Sequence, residues 1–281
     1  MDAVVLALTS AFLFGAMTVL LRPVLARGGD PLLGALLTVV PALCVGLVAT
    51  AVAGGWELDG LWPFFLAGIL GPGISQVLFT LAIRDAGASR TSATVGTAPL
   101  FAVCFAVVLL DEPLAAGIAV GVALIVAGGV LLAGERDRPE HVKVVGFAFA
   151  LGSALVFAAR DTLVRWLSVD TSVPPPLAMT ATLAAGALTL LTTLLVSRRP
   201  LTLRAVPAFV PAGLLFGLSY VCLFEAYDRG RLSVVSPLVA TESLWGVALA
   251  AVFLRHERVS ARLAAGAGLV VAGGILIGVF R

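Results

Sequence analysis

The stretch Ser89–Glu135 reads SRTSATVGTAPLFAVCFAVVLLDEPLAAGIAVGVALIVAGGVLLAGE, and the chain writes it again from Ser233 as SVVSPLVATESLWGVALAAVFLRHERVSARLAAGAGLVVAGGILIG. Offset by about 145 residues, Glu112 falls on Glu257. Gly121, Leu124, Ala127, Gly128, Gly129 and Leu131 fall on Gly266, Leu269, Ala272, Gly273, Gly274 and Leu276. Agreement of that density, in register over a long segment, marks a duplicated unit rather than shared apolar composition. Fainter matches extend it to the rest of the chain. At an offset of about 143, Leu8, Ser10, Phe14 and Arg22 meet Leu151, Ser153, Phe157 and Arg165. At about 144, Gly73, Ser75, Val77 and Ala82 meet Gly217, Ser219, Val221 and Ala226.

Composition selects the solvent. Of 281 residues 60% are apolar and 12% charged, with a mean hydropathy of +1.10. A soluble domain is closer to a quarter charged, so lipid is the main surroundings. A net charge of +2 argues against a nucleic-acid partner. Cys44, Cys104 and Cys222 lie far apart inside apolar segments, and His141 and His256 lie in loops. Neither pattern makes a disulfide framework or a metal site, and no cofactor is expected. Met1-Asp2 lacks the basic start of a cleavable leader, so the first apolar segment is expected to stay.

Ten apolar segments meet or approach the ~20 residues that cross ~30 Å of hydrocarbon. They run over about 3–21, 31–53, 61–83, 91–110, 113–133, 144–166, 175–196, 205–227, 232–254 and 261–280. Gly71-Pro72-Gly73 interrupts the third, where a proline without a donor and two glycines predict a kink or break. Pro99 lies inside the fourth. The polar interval around 136–142 separates a first unit, 1–135, from a second, 143–281. Five spans per unit is an odd number, so the second unit enters the membrane upside down. The fold expected is all-α, ten transmembrane helices in two inverted five-helix repeats, a common construction of secondary transporters.

Several residues resemble the drug/metabolite transporter superfamily in its ten-helix EamA-like branch. They are the acidic turn Leu109-Leu110-Asp111-Glu112-Pro113, its counterpart Phe253-Leu254-Arg255-His256-Glu257, and the Gly-Gly helices that follow each. Ser236-Pro237-Leu238 and Thr241-Glu242-Ser243 are similar to the family's ninth-helix pattern, where proline often stands in the place of Ser243. The resemblance covers the whole chain. It implies carriage of small organic molecules through a central cavity lined by helices 1, 3, 4, 6, 8 and 9, with cytoplasmic termini, and it leaves the substrate open.

The residues that the repeat does not explain point to a site. Glu242 lies about ten residues, ~15 Å, into the ninth segment, near the midplane, where the first unit has Thr97. An ionisable group there costs on the order of 3 kcal/mol, so it turns inward, pairs or takes a proton, and Glu242 is the candidate proton carrier. Arg160 and Asp161 stand where the first unit has Met17 and Thr18. Arg160 either reaches Glu242 or snorkels to the interface. Ser153, Phe157 and Arg160 share a helix face, as do Ser10, Phe14 and Met17. With Gln76, Thr97, Tyr220, Glu242 and Trp245, backed by Ser75, Thr94 and Ser219, they are expected to line an amphipathic cavity. A membrane-helix Ser or Thr otherwise bonds its own backbone. Gly117 with Gly121, and Gly274 with Gly278, are read as scaffold glycines that let helices approach closely.

Thirteen of the 18 basic residues fall in the loops after the odd-numbered segments, which places those loops in the cytoplasm and both termini outside, opposite to what the resemblance implies. The function expected is secondary transport of a small organic solute (an amino acid, amine or similar amphipathic molecule) across the cytoplasmic membrane, by efflux or exchange. The partners expected are the small-molecule substrate and membrane lipid. A non-transporting helical scaffold and a lipid translocator are the rivals. An enzyme is not expected, because the spans hold no histidine and the cysteines have no partners.

Overall fold

The computed structural model describes residues 2–54, 56, 59–110, 116–133, 142–167, 173–201, 203–229, 235, 238–254 and 260–280. Among them there is no strand. The helices are α1 Ala3–Ala26, α2 Pro31–Ala53, α3 Trp62–Gly68, a wide π-type turn Ile69–Ile74, α4 Ser75–Ala86, α5 Ala88–Val95 and α6 Ala98–Leu110. After them come α7 Ala116–Ala133, α8 Val144–Leu167, α9 Pro175–Val196, α10 Val206–Arg229, α11 Glu242–Phe253 and α12 Ala261–Phe280. Among the described residues six stretches are long and apolar enough to cross a bilayer: 3–26, 31–53, 62–86, 175–196, 206–229 and 261–280. Shorter apolar helices lie at Ala116–Gly129, Val144–Arg160 and Glu242–Phe253. Val48, Val52, Leu188, Val196, Val252 and Val279 are exposed, which hydrocarbon accommodates and water does not. This is a multi-pass membrane protein. The acidic turn at 111–113, its counterpart at 255–257 and residues 136–141 of the connecting interval lie outside the described residues.

Local chemistry sets the ends of the spans. Asp30 accepts from the Leu32 and Leu33 amides at 2.9 and 3.0 Å, Pro31 opens α2, and Gly54 at φ +72° closes it. Gly87 at φ +89° ends α4 and begins α5 in a single residue, a conformation that costs a side chain but not glycine.

Three spans differ from the sequence expectation. The first continues through Arg22 and Pro23 to Ala26. Arg22 is buried inside α1, where its Nη1 donates to the Ile83 and Arg84 carbonyls at 2.9 and 2.8 Å and so caps the C-terminus of α4. The fourth starts at Ala88 and breaks at Gly96-Thr97, since Pro99 lacks a donor and restarts the helix at Ala98. The ninth is also broken, with a turn at Ala240-Thr241 ahead of α11. The third span breaks as expected: Gly71, at φ −141° and ψ 113°, leaves the helical region beside Pro72.

The halves pack on each other reciprocally. A Cβ on Gly73 would meet the Thr189 side chain at 3.1 Å, and one on Gly217 would meet Val45 at 2.7 Å. The same offset of about 144 carries 73 to 217 and 45 to 189. Likewise Gly68 lies against Thr182 and Ala185, and Gly213 against Thr38 and Pro41. On α7 and α12, Gly121 meets Gly273 and Gly128 meets Gly266, so the two helices cross antiparallel. Gly117 and Gly121 are both at close approaches, Gly117 against the Phe280 ring, whereas on α12 the close glycine is Gly273 and Gly274 has only ordinary contacts.

A side chain at this crossing has nowhere to go. Gly121→Val is expected to cost about 1–3 kcal/mol, since its Cβ alone comes within 2.7 Å of Ile277 and 2.8 Å of the Gly273 carbonyl. Gly129→Ala, which meets nothing within 4 Å, is expected to gain about 0.5–1 kcal/mol. Thermal unfolding of the two variants in detergent checks both signs.

Candidate functional site

Helical periodicity brings Phe14 of α1 to the centre, where four elements meet. Its ring lies 5.3 Å from Phe79 of α4, 6.5 Å from Phe157 of α8 and 6.0 Å from Phe216 of α10. Phe216 in turn stacks edge-on with Tyr220 at 4.6 Å. Arg160 turns inward onto this cluster rather than snorkelling. Its guanidinium sits 5.2 Å from the Phe157 ring and donates to the Tyr220 hydroxyl at 2.8 Å. The arginine passes the broken turn of the third span: a Cβ on Gly71 would lie 3.1 Å from its Cδ, so glycine there makes room for it.

The break in the ninth span puts Glu242 in the first turn of α11, where the helix dipole favours a negative charge. The side chain is half-buried and faces a cleft shared with Phe14, Phe79, Ser92, Val95 and Ser243. The cleft is shallow and partly open, and as it stands it holds no space for a water-sized sphere. An open amphipathic cavity was the expectation. Among the described residues the rings of four helices converge beside this cleft into an aromatic plug.

Other candidates fall on either side of this plug. Ser10 and Ser219 meet hydroxyl to hydroxyl at 3.0 Å, and Ser219 also reaches the Ser10 carbonyl. Their counterparts Ser153 and Ser75 meet too, but there Ser153 donates to the Ser75 carbonyl at 3.1 Å and the Ser75 hydroxyl has no partner. Thr97 donates to the Thr94 carbonyl at 2.7 Å inside the break, a backbone role. Gln76 is fully buried with neither amide atom hydrogen-bonded. Trp245 is not brought to the plug. It is 39% exposed and packs edge-on against Phe12 on the outward face of α1, since the helix restart at Glu242 turns that side of α11 outward. The side chain of Asp161 lies outside the described residues. Glu225 pairs with Arg229 near the end of α10.

Phe79, Phe216, Ser92, Val95 and Thr91 were not singled out from sequence. Phe79 lies one helical turn from Gln76, which is the signal that could have found it. Ser92 and Val95 carry none, because only the break at Gly96 turns α5 toward Glu242. Among the described residues no group of three or more His, Cys, Asp or Glu is placed to hold a metal ion.

Phe14 holds the plug together. Phe14→Ala is expected to lose about 3–5 kcal/mol, the range for a buried aromatic, and Phe14→Leu distinctly less. Unfolding of the purified variants in detergent against wild type measures both.

The model of the EamA-like transporter family matches residues 1–134 and again 144–279. Among curated proteins none matches the sequence. A solved crystal structure, 24% identical, aligns over 98% of this chain and 96% of its own with a TM-score of 0.67, a likeness of fold. With two family matches spanning nearly its whole length, the chain belongs to the EamA-like transporter family of the drug/metabolite transporter superfamily.

Proposed function

We propose that this protein is a ten-span secondary transporter of a small amphipathic organic solute, working by alternating access in the cytoplasmic membrane as an exporter or exchanger. Two units, 1–135 and 143–281, joined through 136–142, would form inverted repeats. The observation that carries the reading is the reciprocal packing of the halves around a closed centre. Gly121 on Gly273 with Gly128 on Gly266 is the pattern of a twofold axis lying across two antiparallel helices, as inversion requires. The serine pairs add to it. The two equivalent pairs, each joining one half to the other, bond differently, an asymmetry that supports a reading in which the halves exchange conformations.

In this reading the plug of Phe14, Phe79, Phe157 and Phe216 parts to admit solute. Its aromatic faces bind the apolar body, Arg160 with Tyr220 takes an acidic or polar end, and Glu242 takes a cationic end or a proton. Ser10, Ser153 and Thr97 set the backbone around it, and Trp245 shields α11 from lipid. Approach of Arg160 and Glu242, when no solute separates them, is part of the proposal. The cargo is a small molecule, and lipid is the other partner. The packed centre favours one rival, a helical assembly subunit that moves nothing.

A thermal-shift screen of the purified protein against amino acids, amines and nucleobases, followed by counterflow in liposomes, separates the two. A transported solute at a hundred times its Kd is expected to add about 2.7 kcal/mol of stability and to exchange. No stabilisation and no flux with any class removes the carrier reading. For coupling, Glu242→Gln is expected to abolish proton-driven uptake while leaving solute counterflow in place. Unchanged pH dependence in that variant removes Glu242 as the proton carrier.

A further inference from the structure

We propose that the Gln76 amide is the specificity element of this site and takes a neutral ligand group presenting a hydrogen-bond donor and acceptor side by side, as a carboxamide, lactam or nucleobase edge does. The inference rests on the carrier reading above and narrows its substrate class.

Hydroxyls buried in the other helices look after themselves. Thr18, Thr38, Thr182 and Thr189 each donate to the carbonyl four residues back at 2.6–3.0 Å. Around the start of α4 and along α5 this fails. The Ser75, Thr91 and Thr94 hydroxyls and both polar atoms of the Gln76 amide are buried with no hydrogen-bond partner. Gln76 is the extreme case, because its amide carries two donors and an acceptor with two lone pairs, and no rotamer hides them from one another. Buried polar groups are paired in native structures, so each exception needs an occupant.

The internal repeat shows why the chain itself supplies no partner. Tyr220 holds the place in the second half that Gln76 holds in the first, at the offset of about 144. Tyr220 is served by Arg160. The repeat counterpart of Arg160 is Met17, a fully buried thioether that serves neither a donor nor an acceptor well. At these two equivalent positions, then, one side chain is answered and the other presents an unanswered amide. Gln76 also lies three residues, ~4.5 Å along the axis, from Phe79, whose ring lines the cleft. When the plug opens, a ligand ring against Phe79 sets its polar edge on Gln76. A carboxylate or an ammonium would use only half of the amide; a group with both functions uses all of it.

The test uses full-length protein in liposomes, with uptake of nicotinamide and uracil compared with N,N-dimethylnicotinamide and 1,3-dimethyluracil, which keep shape but lose the N–H. Glutamate and putrescine serve as charged probes. Wild type is expected to favour the N–H forms by at least about tenfold in KM. Gln76→Leu is expected to bring that preference within about twofold while the Tm holds or rises, because it removes an unpaired buried amide. Gln76→Met serves if the leucine variant does not fold. A preference kept in either variant, an equal loss for all solutes, or a wild type that carries only the charged probes overturns the inference and leaves the carrier reading standing. Failure of every probe to move or stabilise the protein overturns both.

Discussion

In hydrocarbon a backbone N–H or C=O without a partner costs several kcal/mol, so a membrane span can be broken only where protein covers the break. Among the described residues three spans are broken, at Gly71-Pro72, at Gly96-Thr97 and at Ala240-Thr241. That constraint organises the molecule. Beside two of the breaks, Val95, Glu242 and Ser243 share one cleft with Phe14 and Phe79. The unbroken helices α1, α8 and α10 supply the rings that pack over them. Interrupted helices and the aromatic plug are two sides of the same requirement.

Close packing then does for the scaffold what a hydrophobic drive cannot do in lipid. The glycines facing one another on α7 and α12, and those of the third and eighth spans lying on α9 and α2, give up side chains for backbone approach. At such crossings a small rotation is either accommodated everywhere or nowhere, because packed interfaces are bistable rather than elastic. A reciprocal arrangement with unequal serine contacts in its two halves is what such a bistable frame would leave behind in one resting state.

Charge is handled differently at the rim and in the centre. Near the rim, Asp85 is buried against Arg84 at 2.7 Å with Lys143 at 3.5 Å, while Arg22 caps the end of the same helix. These are closed structural circuits tying α1, α4 and α8 together. In the centre, Arg160 rests on a phenol and an aromatic face, and Glu242 at a helix start.

Much of this was legible from residues alone. Mean hydropathy and the lengths of the apolar runs determined a helical membrane protein, since only helices or closed barrels satisfy their backbone there. The duplicated stretch determined two like units, and Gly71-Pro72-Gly73 and Phe14 with Phe157 were visible by their type and register. What tertiary structure decided is how three-dimensional partners overrode local signals. The first segment read as ending before Arg22 because a carbonyl cap sixty residues away has no local signature. Pro99 read as a tolerated proline, and its break with Gly96 became visible only when α5 and α6 parted. That Phe14, Phe79, Phe157 and Phe216 pack together was not legible, because ring packing from four distant segments cannot be summed along one chain. Gln76 is the sharpest instance: its type was plain from the start, but that it is buried and unanswered depends on what does not come near it, and only coordinates record that.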